Sequence, residues 1–190
     1  MGKSYPASFE YFIQQFEKAI QSSQDFFRRI DETIFSLKPG KDQWSIGECY
    51  SHLIQTGNLY LEKVTQGMEM GNPGESQPEN PLSLRLHMKW FVQYLEPPIS
   101  VKSKAPGAFH PQNGSAIKKE EIVQDFLDQQ NAFLKHLKTA QKNHIDLSSI
   151  KVSNPLLSFV GMTVAECIAV TEAHTRRHME QAKRVFDQIS

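Results

Sequence analysis

The sequence has few cysteines, no long apolar run and no excess of charge of either sign. Its 190 residues include only two cysteines, Cys49 and Cys167, and no C-x-x-C pair. This scarcity argues against a disulfide scaffold and favours a reducing, cytoplasmic compartment. The 21 Lys and Arg residues balance the 21 Asp and Glu residues, so the composition favours neither a nucleic-acid nor a membrane surface.

Targeting and membrane signals are missing as well. No segment approaches the roughly 18–20 apolar residues that a transmembrane helix needs. The N-terminal stretch MGKSYPASFEYF lacks the apolar run of a signal peptide. A chain of 190 residues with 39% hydrophobic and 22% charged residues is typical of a soluble globular domain. We therefore expect residues 1–190 to form a single cytoplasmic domain.

Strand signals and several familiar catalytic motifs are also absent. No long alternating segment of Val, Ile and Thr occurs, and the Asn113-Gly114 pair lies in a stretch rich in Pro, Gly and Ser. The chain has no H-E-x-x-H motif, no G-x-S-x-G motif, no glycine-rich phosphate loop and no Glu-x-x-His pair of the di-iron type. These absences argue against β-rich folds and against the commonest hydrolase and nucleotide-binding sites.

Helical periodicity is what the sequence does contain. Apolar residues recur at spacings of three, four and seven, which predicts helices over 9–37, 45–70, 81–95, from 119 onward, and over 163–189. This pattern predicts an all-α fold, an antiparallel four-helix bundle with a long crossover loop and room for a fifth helix. The connections 96–115 and 143–162 are long, and we expect the first to be a crossover that covers a site.

Helical spacing also predicts which side chains face the core. In the segment 81–95 we expect Leu84, Phe91 and Leu95 to point inward. Trp44 and Trp90 are interpreted as core or helix-packing residues.

Three histidines give the chain its most specific chemical signal. His174 and His178 are four residues apart, which places both rings on one face of a helix, one turn from each other. His52 lies on another predicted helix, three residues after Cys49 and close to its inward stripe. Three neutral imidazoles suit zinc, nickel or another borderline divalent ion, and three protein ligands leave a position open for water or substrate.

Other acidic and sulfur-containing residues have simpler interpretations. Glu48 and Glu166 each follow a Ser or Thr by three residues at a predicted helix start. We interpret both as capping residues, with a role as general base or in supporting a metal as the alternative. Cys49 and Cys167 could be soft ligands, but a buried cysteine usually acts as a small apolar residue.

The remaining histidines carry weaker signals. His87, His136 and His144 are interpreted as surface or helix-end residues, whereas His110 lies in the proline-rich connection and could reach a pocket as a donor. An H-x-x-x-H pair also arises by chance. In that alternative, the pair is partly exposed among the charged residues Arg176, Arg177 and Glu180.

Two stretches resemble a known family. WSIGECYSHL, from Trp44 to Leu53, and FVGMTVAECIAVTEAHTRRHMEQA, from Phe159 to Ala182, resemble the DinB-like (YfiT/DinB) superfamily of metal-dependent enzymes. The family pattern combines Trp-S/T-x-x-E/Q-x-x-x-His-Leu with a later Gly-x-Thr-x-x-Glu and His-x-x-x-His-x-x-Gln. The resemblance covers nearly the whole chain, because helix count, crossover and motif order agree too.

This resemblance implies an up-up-down-down-like four-helix bundle and a divalent metal on His52, His174 and His178. The expected ion is zinc, with nickel, iron or manganese as alternatives. Relatives include S-transferases that use bacillithiol, mycothiol or glutathione, a maleylpyruvate isomerase and proteins described as hydrolases. Homodimers are frequent among them. Substrate-binding residues do not transfer position by position, so none is assigned.

Three functional hypotheses follow. The first is a metal-dependent thiol S-transferase or hydrolase that acts on a small molecule, with its catalytic residues and general base unassigned. The second is a non-catalytic bundle that binds a metal or small ligand, for example in a stress response. The third is a structural helical dimer whose histidines are only hydrogen-bonded.

Overall fold

Four long helices make up the body of the structure, and two shorter helices and a small sheet complete it. The computed structural model describes residues 7–74, 79–97, 118–157 and 159–190. Within these ranges the elements in chain order are α1 (Phe9–Phe27), α2 (Glu32–Ser36), α3 (Ile46–Met70), α4 (Leu86–Leu95), α5 (Lys119–Lys142), β1 (Lys151–Ser153), β2 (Gly161–Thr163) and α6 (Val164–Ile189). The predicted all-α bundle is therefore confirmed.

Side-chain contacts fix the directions of the four long helices. They join Glu10 to Gln141 and Glu17 to Lys138 (α1 and α5), Tyr50 to Phe126 and Thr65 to His136 (α3 and α5), Ser23 to Met179 and Phe26 to Phe186 (α1 and α6), and His52 to His174 (α3 and α6). Residue numbers run in opposite senses between α1 and α5, and in the same sense between α3 and α5 and between α1 and α6. At its other end α3 approaches the start of α6, where Gly67 faces Val164.

The directions in chain order are therefore up, down, down and up for α1, α3, α5 and α6. This differs from the up-up-down-down order that the resemblance implies, although the two up helices are neighbours in the bundle. Because α3 and α5 are parallel, the chain between them must return along the length of the bundle. Its α4 packs on α6 during this return.

The first predicted helix, over 9–37, is divided in the structure. Helix α1 ends at Phe27, and Asp31 begins α2 by accepting a hydrogen bond from Ile34 N at 2.8 Å. The apolar spacing continues across the break, so periodicity alone did not reveal it. Leu37, expected on the apolar stripe, is 46% exposed.

Helix α4 is shorter than predicted, and the residues that it buries differ from those predicted. It begins at Leu86 and buries Met88 and Val92. Phe91 was expected to point inward and Trp90 to be a core or helix-packing residue, but they are 42% and 76% exposed. Both expectations were wrong because α4 packs mainly against α6, so one narrow stripe is covered and the residues beside it face outward.

The connection over 143–162 contains a small hairpin that was not predicted. Strands β1 and β2 are antiparallel, with the buried Val152 paired with Met162. At three residues each, the strands are too short to show an alternating pattern. The other connection, over 96–115, lies outside the described residues from position 98 onward, and so do His110 and the Asn113-Gly114 pair.

The buried apolar residues form two clusters along the bundle. One contains Phe12, Phe16 and Phe133, and the other contains Phe27 and Tyr50. On α6, Ala173 belongs to the first cluster and Ala182 to the second. The segment that carries His174 and His178 thus lies between the two clusters.

Candidate metal centre

Both helices that carry the candidate ligands have sharply defined starts. Glu48 N donates to Ser45 Oγ at 3.1 Å, while Ser45 N donates to Glu48 Oε2 at 2.8 Å. Thr163 and Glu166 form the same reciprocal pair, at 3.0 and 3.2 Å. The predicted capping roles of both glutamates are confirmed. These capping boxes fix the start of each helix and hence the direction in which its later side chains point.

The structure brings together the three histidines that the sequence singles out. His52 Nε2 lies 3.3 Å from His174 Nε2, although 122 positions separate them in the chain. The ring of His178 lies 4.6 Å from that of His52 and 4.5 Å from that of His174, between centroids. One ligand atom from each residue falls within 4.8 Å of the other two. A single ion could therefore contact all three.

The three rings are sheltered from solvent. His52 and His178 are buried and His174 is partly buried. The indole of Trp44 lies against two of the rings, 5.0 Å from His52 and 5.8 Å from His178, and is nearly parallel to the latter. The expectation that Trp44 is a packing residue is confirmed, and what it packs against is the histidine cluster.

The environment keeps the imidazoles of His174 and His178 neutral. Burial, followed by the neighbouring His52 and the charge of Arg177, lowers the pKa of His174 to about 3. Burial and then the charges of His174, His52 and Arg177 also hold the pKa of His178 well below its usual value of 6.5. Neutral imidazole is the form that binds a metal, because the ring nitrogen must offer a lone pair.

The donor set fits a small divalent ion. Two nitrogens bound tetrahedrally to zinc at ~2.0–2.1 Å lie about 3.3 Å apart, which is the separation between the Nε2 atoms of His52 and His174. Nδ1 of His178 is buried and has no hydrogen-bond partner in the described part of the chain. Hydrogen bonding alone leaves this nitrogen unsatisfied, whereas an ion among the rings could take it as a ligand.

One residue of the site was missed by the sequence reasoning. Thr56 is buried, donates to the carbonyl oxygen of His52 at 2.8 Å and lies with its Oγ1 3.5 Å from His174 Nδ1. It follows His52 by four residues, so helical spacing alone places it on the same face. That spacing is the signal that could have found it.

The acidic residues near the helix starts have other partners. Glu48 pairs with Lys38 Nζ at 2.7 Å, and Glu166 pairs with Arg85 Nη2 at 2.6 Å. Cys49 and Cys167 are fully buried in the apolar clusters, and burial raises the pKa of Cys167 to about 12. The group of candidate ligands among the described residues contains neither cysteine.

The other described histidines stand apart from the cluster. His87 is exposed, as predicted. His136 is partly buried and contacts Thr65 Oγ1 at 3.1 Å, and His144 follows the end of α5 with a positive φ of 52°. Only the three predicted residues therefore converge in the part of the chain that the structure describes.

Comparison with known proteins agrees with this geometry. The family model described as the DinB superfamily matches residues 15–182. The chain belongs to the DinB superfamily. No curated protein matches the sequence. Within the described residues, no helix has both the length and the apolar character needed to cross a membrane. Membership in the DinB superfamily and the three-histidine cluster together fit a metal-binding protein.

Proposed function

We propose that this DinB-superfamily protein is a metal-dependent enzyme that binds a divalent ion through His52, His174 and His178. We further propose that it is cytoplasmic and acts on a small molecule as a thiol S-transferase or a hydrolase. The supporting observation is the convergence of three imidazoles from two helices. Zinc is the ion we propose, and nickel, iron or manganese would suit the same donors less specifically.

His52, His174 and His178 would hold the divalent ion, which would supply Lewis-acid chemistry that lowers the pKa of a bound thiol or water. The protein's own residues prepare the site for this. Burial keeps the rings of His174 and His178 unprotonated, and Trp44 covers the rings of His52 and His178. The positive charge of Arg177 opposes protonation of His174 and His178, and it would also favour an anion such as a thiolate.

The second candidate is a bundle that binds a metal or small ligand without catalysis. The observation that supports it is that the buried glutamates near the helix starts already have other partners. Glu48 and Glu166 are both committed to capping and to ion pairs, so neither is assigned as a general base. Turnover therefore distinguishes the two candidates.

A panel of substrates tests the proposal. Zinc-loaded protein is offered bacillithiol, mycothiol, glutathione and cysteine with a halo-nitrobenzene, and separately a set of simple esters. We expect metal-dependent turnover with at least one thiol or ester, abolished in His174→Ala and retained in His87→Ala, which alters an exposed histidine. Absence of metal-dependent turnover with every compound would favour the non-catalytic bundle.

We also propose that the protein forms a homodimer through an exposed apolar face. The residues of this face are Leu86, Trp90, Phe91 and Tyr94 of α4 and Leu156, Leu157, Phe159 and Val160 of the hairpin. The hydrogen bond from Arg85 Nη2 to Gly161 O, 2.8 Å long, brings its two parts together.

The exposed area supports a second copy of the chain as the partner. Trp90 and Phe159 are 76% and 86% exposed, and two such aromatic side chains present roughly 300 Å². With the other six residues, the face approaches the ~800 Å² that each partner contributes to a standard interface. That exceeds the roughly 300–600 Å² of the largest apolar patch on a typical monomer.

A further inference from the structure

We infer that Thr56 is a positioning residue that fixes the tautomer and the orientation of the His174 ring. The inference rests on the proposed metal site, because it concerns how one ligand is prepared for the ion. Its basis is a chain of two contacts from one hydroxyl group, which joins α3 to α6 at the site.

The first contact determines where the hydroxyl hydrogen points. Thr56 Oγ1 lies 2.8 Å from the carbonyl oxygen of His52 and 3.4 Å from that of Leu53. Carbonyl oxygens only accept, so the threonine must be the donor in this contact. A hydroxyl group has one hydrogen, and the shorter distance assigns it to the oxygen of His52.

The second contact then has a fixed direction. Oγ1 of Thr56 also lies 3.5 Å from Nδ1 of His174. With its hydrogen committed to His52, the oxygen can only offer a lone pair to this nitrogen. Nδ1 of His174 must therefore carry the ring hydrogen, which leaves Nε2 with a free lone pair.

This tautomer is the one the candidate centre needs. Nε2 of His174 is the atom that lies 3.3 Å from Nε2 of His52, so its lone pair is directed into the cluster. Metal-binding histidines commonly donate their second nitrogen to an oxygen, and losing that oxygen typically costs 10–100-fold in metal affinity. Thr56 places such an oxygen behind His174 and secures it to the backbone of the ligand on the other helix.

The chain offers a matched control for the helical part of this arrangement. Thr171 on α6 is also buried, and its hydroxyl donates to the carbonyl oxygen of Cys167 at 2.9 Å, four residues earlier. It makes the same bond within its helix as Thr56 does, but the acceptor is the carbonyl oxygen of Cys167 and not that of a histidine. Replacing Thr171 by valine therefore reproduces the loss of the helical bond without the loss proposed for His174.

The test measures the affinity for Zn²⁺ alone by competition with a chromophoric chelator, in wild type, Thr56→Val, Thr56→Ser and Thr171→Val. The d–d absorption of bound Co²⁺ is recorded for the same four proteins as a report on ligand geometry. We expect Thr56→Val to bind Zn²⁺ about 10-fold more weakly and to alter the Co²⁺ spectrum. Thr56→Ser, which keeps the hydroxyl, and Thr171→Val should stay within about twofold of wild type.

Two results would overturn the inference: Thr56→Val binding as tightly as wild type, or Thr171→Val losing as much affinity as Thr56→Val. If Thr56→Val does not fold, Thr56→Ala is compared with Thr56→Ser, and equal affinities would reject the role. A wild-type protein that binds no Zn²⁺ would instead reject the proposed metal site itself, so the two failures are distinguishable.

Discussion

Glu166 shows how one buried carboxylate serves two helices. It closes the capping box of α6 with Thr163, and it accepts hydrogen bonds from the backbone and the guanidinium of Arg85, the residue before α4. Burial alone would raise the pKa of Glu166, but the bonds from Arg85 and Thr163 outweigh it, and the pKa falls below its ordinary value of 4.5. The folded state therefore favours the charged form.

A Glu166→Gln substitution tests this balance. Because the folded-state pKa is the lower one, the charge stabilises the fold fully above pH 4.5 and loses its effect as the pH falls through the folded-state value. We expect the variant to lose about 2 kcal/mol of unfolding free energy at pH 7, and much less at pH 3, as measured by urea denaturation.

Glu121→Gln is the control for this substitution. Glu121 pairs with Lys118 in the first turn of α5, but both side chains are exposed. Its replacement should change stability by no more than ~0.5 kcal/mol. An equal cost of Glu166→Gln at both pH values would contradict the account, because charge would not then be the source of the stability.

At the scale of residues, the sequence predicts well what regular spacing controls. The pair His174 and His178 follows from helical geometry, and the capping roles of Glu48 and Glu166 follow from their position after Ser or Thr. Thr56 was missed because its helical spacing from His52 indicates a shared face but not a contact with His174. Its role depends on the distance to a residue of another helix, and the spacing of residues along one helix gives no information about that distance.

At the scale of elements, the boundaries that were wrong are those set by single polar contacts or by neighbouring helices. Asp31 starts a new helix within an apolar pattern that continues unbroken. Packing against α6 determines which side of α4 is buried. Trp90 therefore faces outward, although the sequence of its segment is amphipathic. The hairpin of β1 and β2 is stabilised by burial of Val152 and Met162. A strand of three residues is too short to show this burial as an alternating pattern in the sequence.

The outward face of α4 makes a prediction about assembly. Trp90→Glu places a charge on the proposed dimer face and should convert the wild-type dimer to a monomer, because a buried unpaired charge is costly. Light scattering coupled to gel filtration measures the mass, and circular dichroism confirms that the helices remain. Leu37→Glu, at an exposed apolar residue outside that face, should leave the dimer intact. A monomeric wild type, or a dimeric Trp90→Glu variant, would contradict the proposal.

At the scale of the whole molecule, the bundle's directions bring the site together. Because α3 and α6 are antiparallel, the beginning of α3 meets the middle of α6, and His52 reaches His174 and His178. The sequence predicted a bundle but not which helices are neighbours, since many apolar stripes can pair in more than one way. The spacing of the histidines and the resemblance both indicated the metal centre, and the distances between the rings now support it.

The most direct test of this account is the zinc content of untagged protein after equilibration with Zn²⁺ and removal of excess metal, measured by mass spectrometry of the element. Wild type and His87→Ala should retain about one equivalent per chain, as a single three-histidine site would. His52→Ala, His174→Ala and His178→Ala should each retain far less. Equal zinc content in wild type and the three site variants would contradict the central claim that these imidazoles hold one ion.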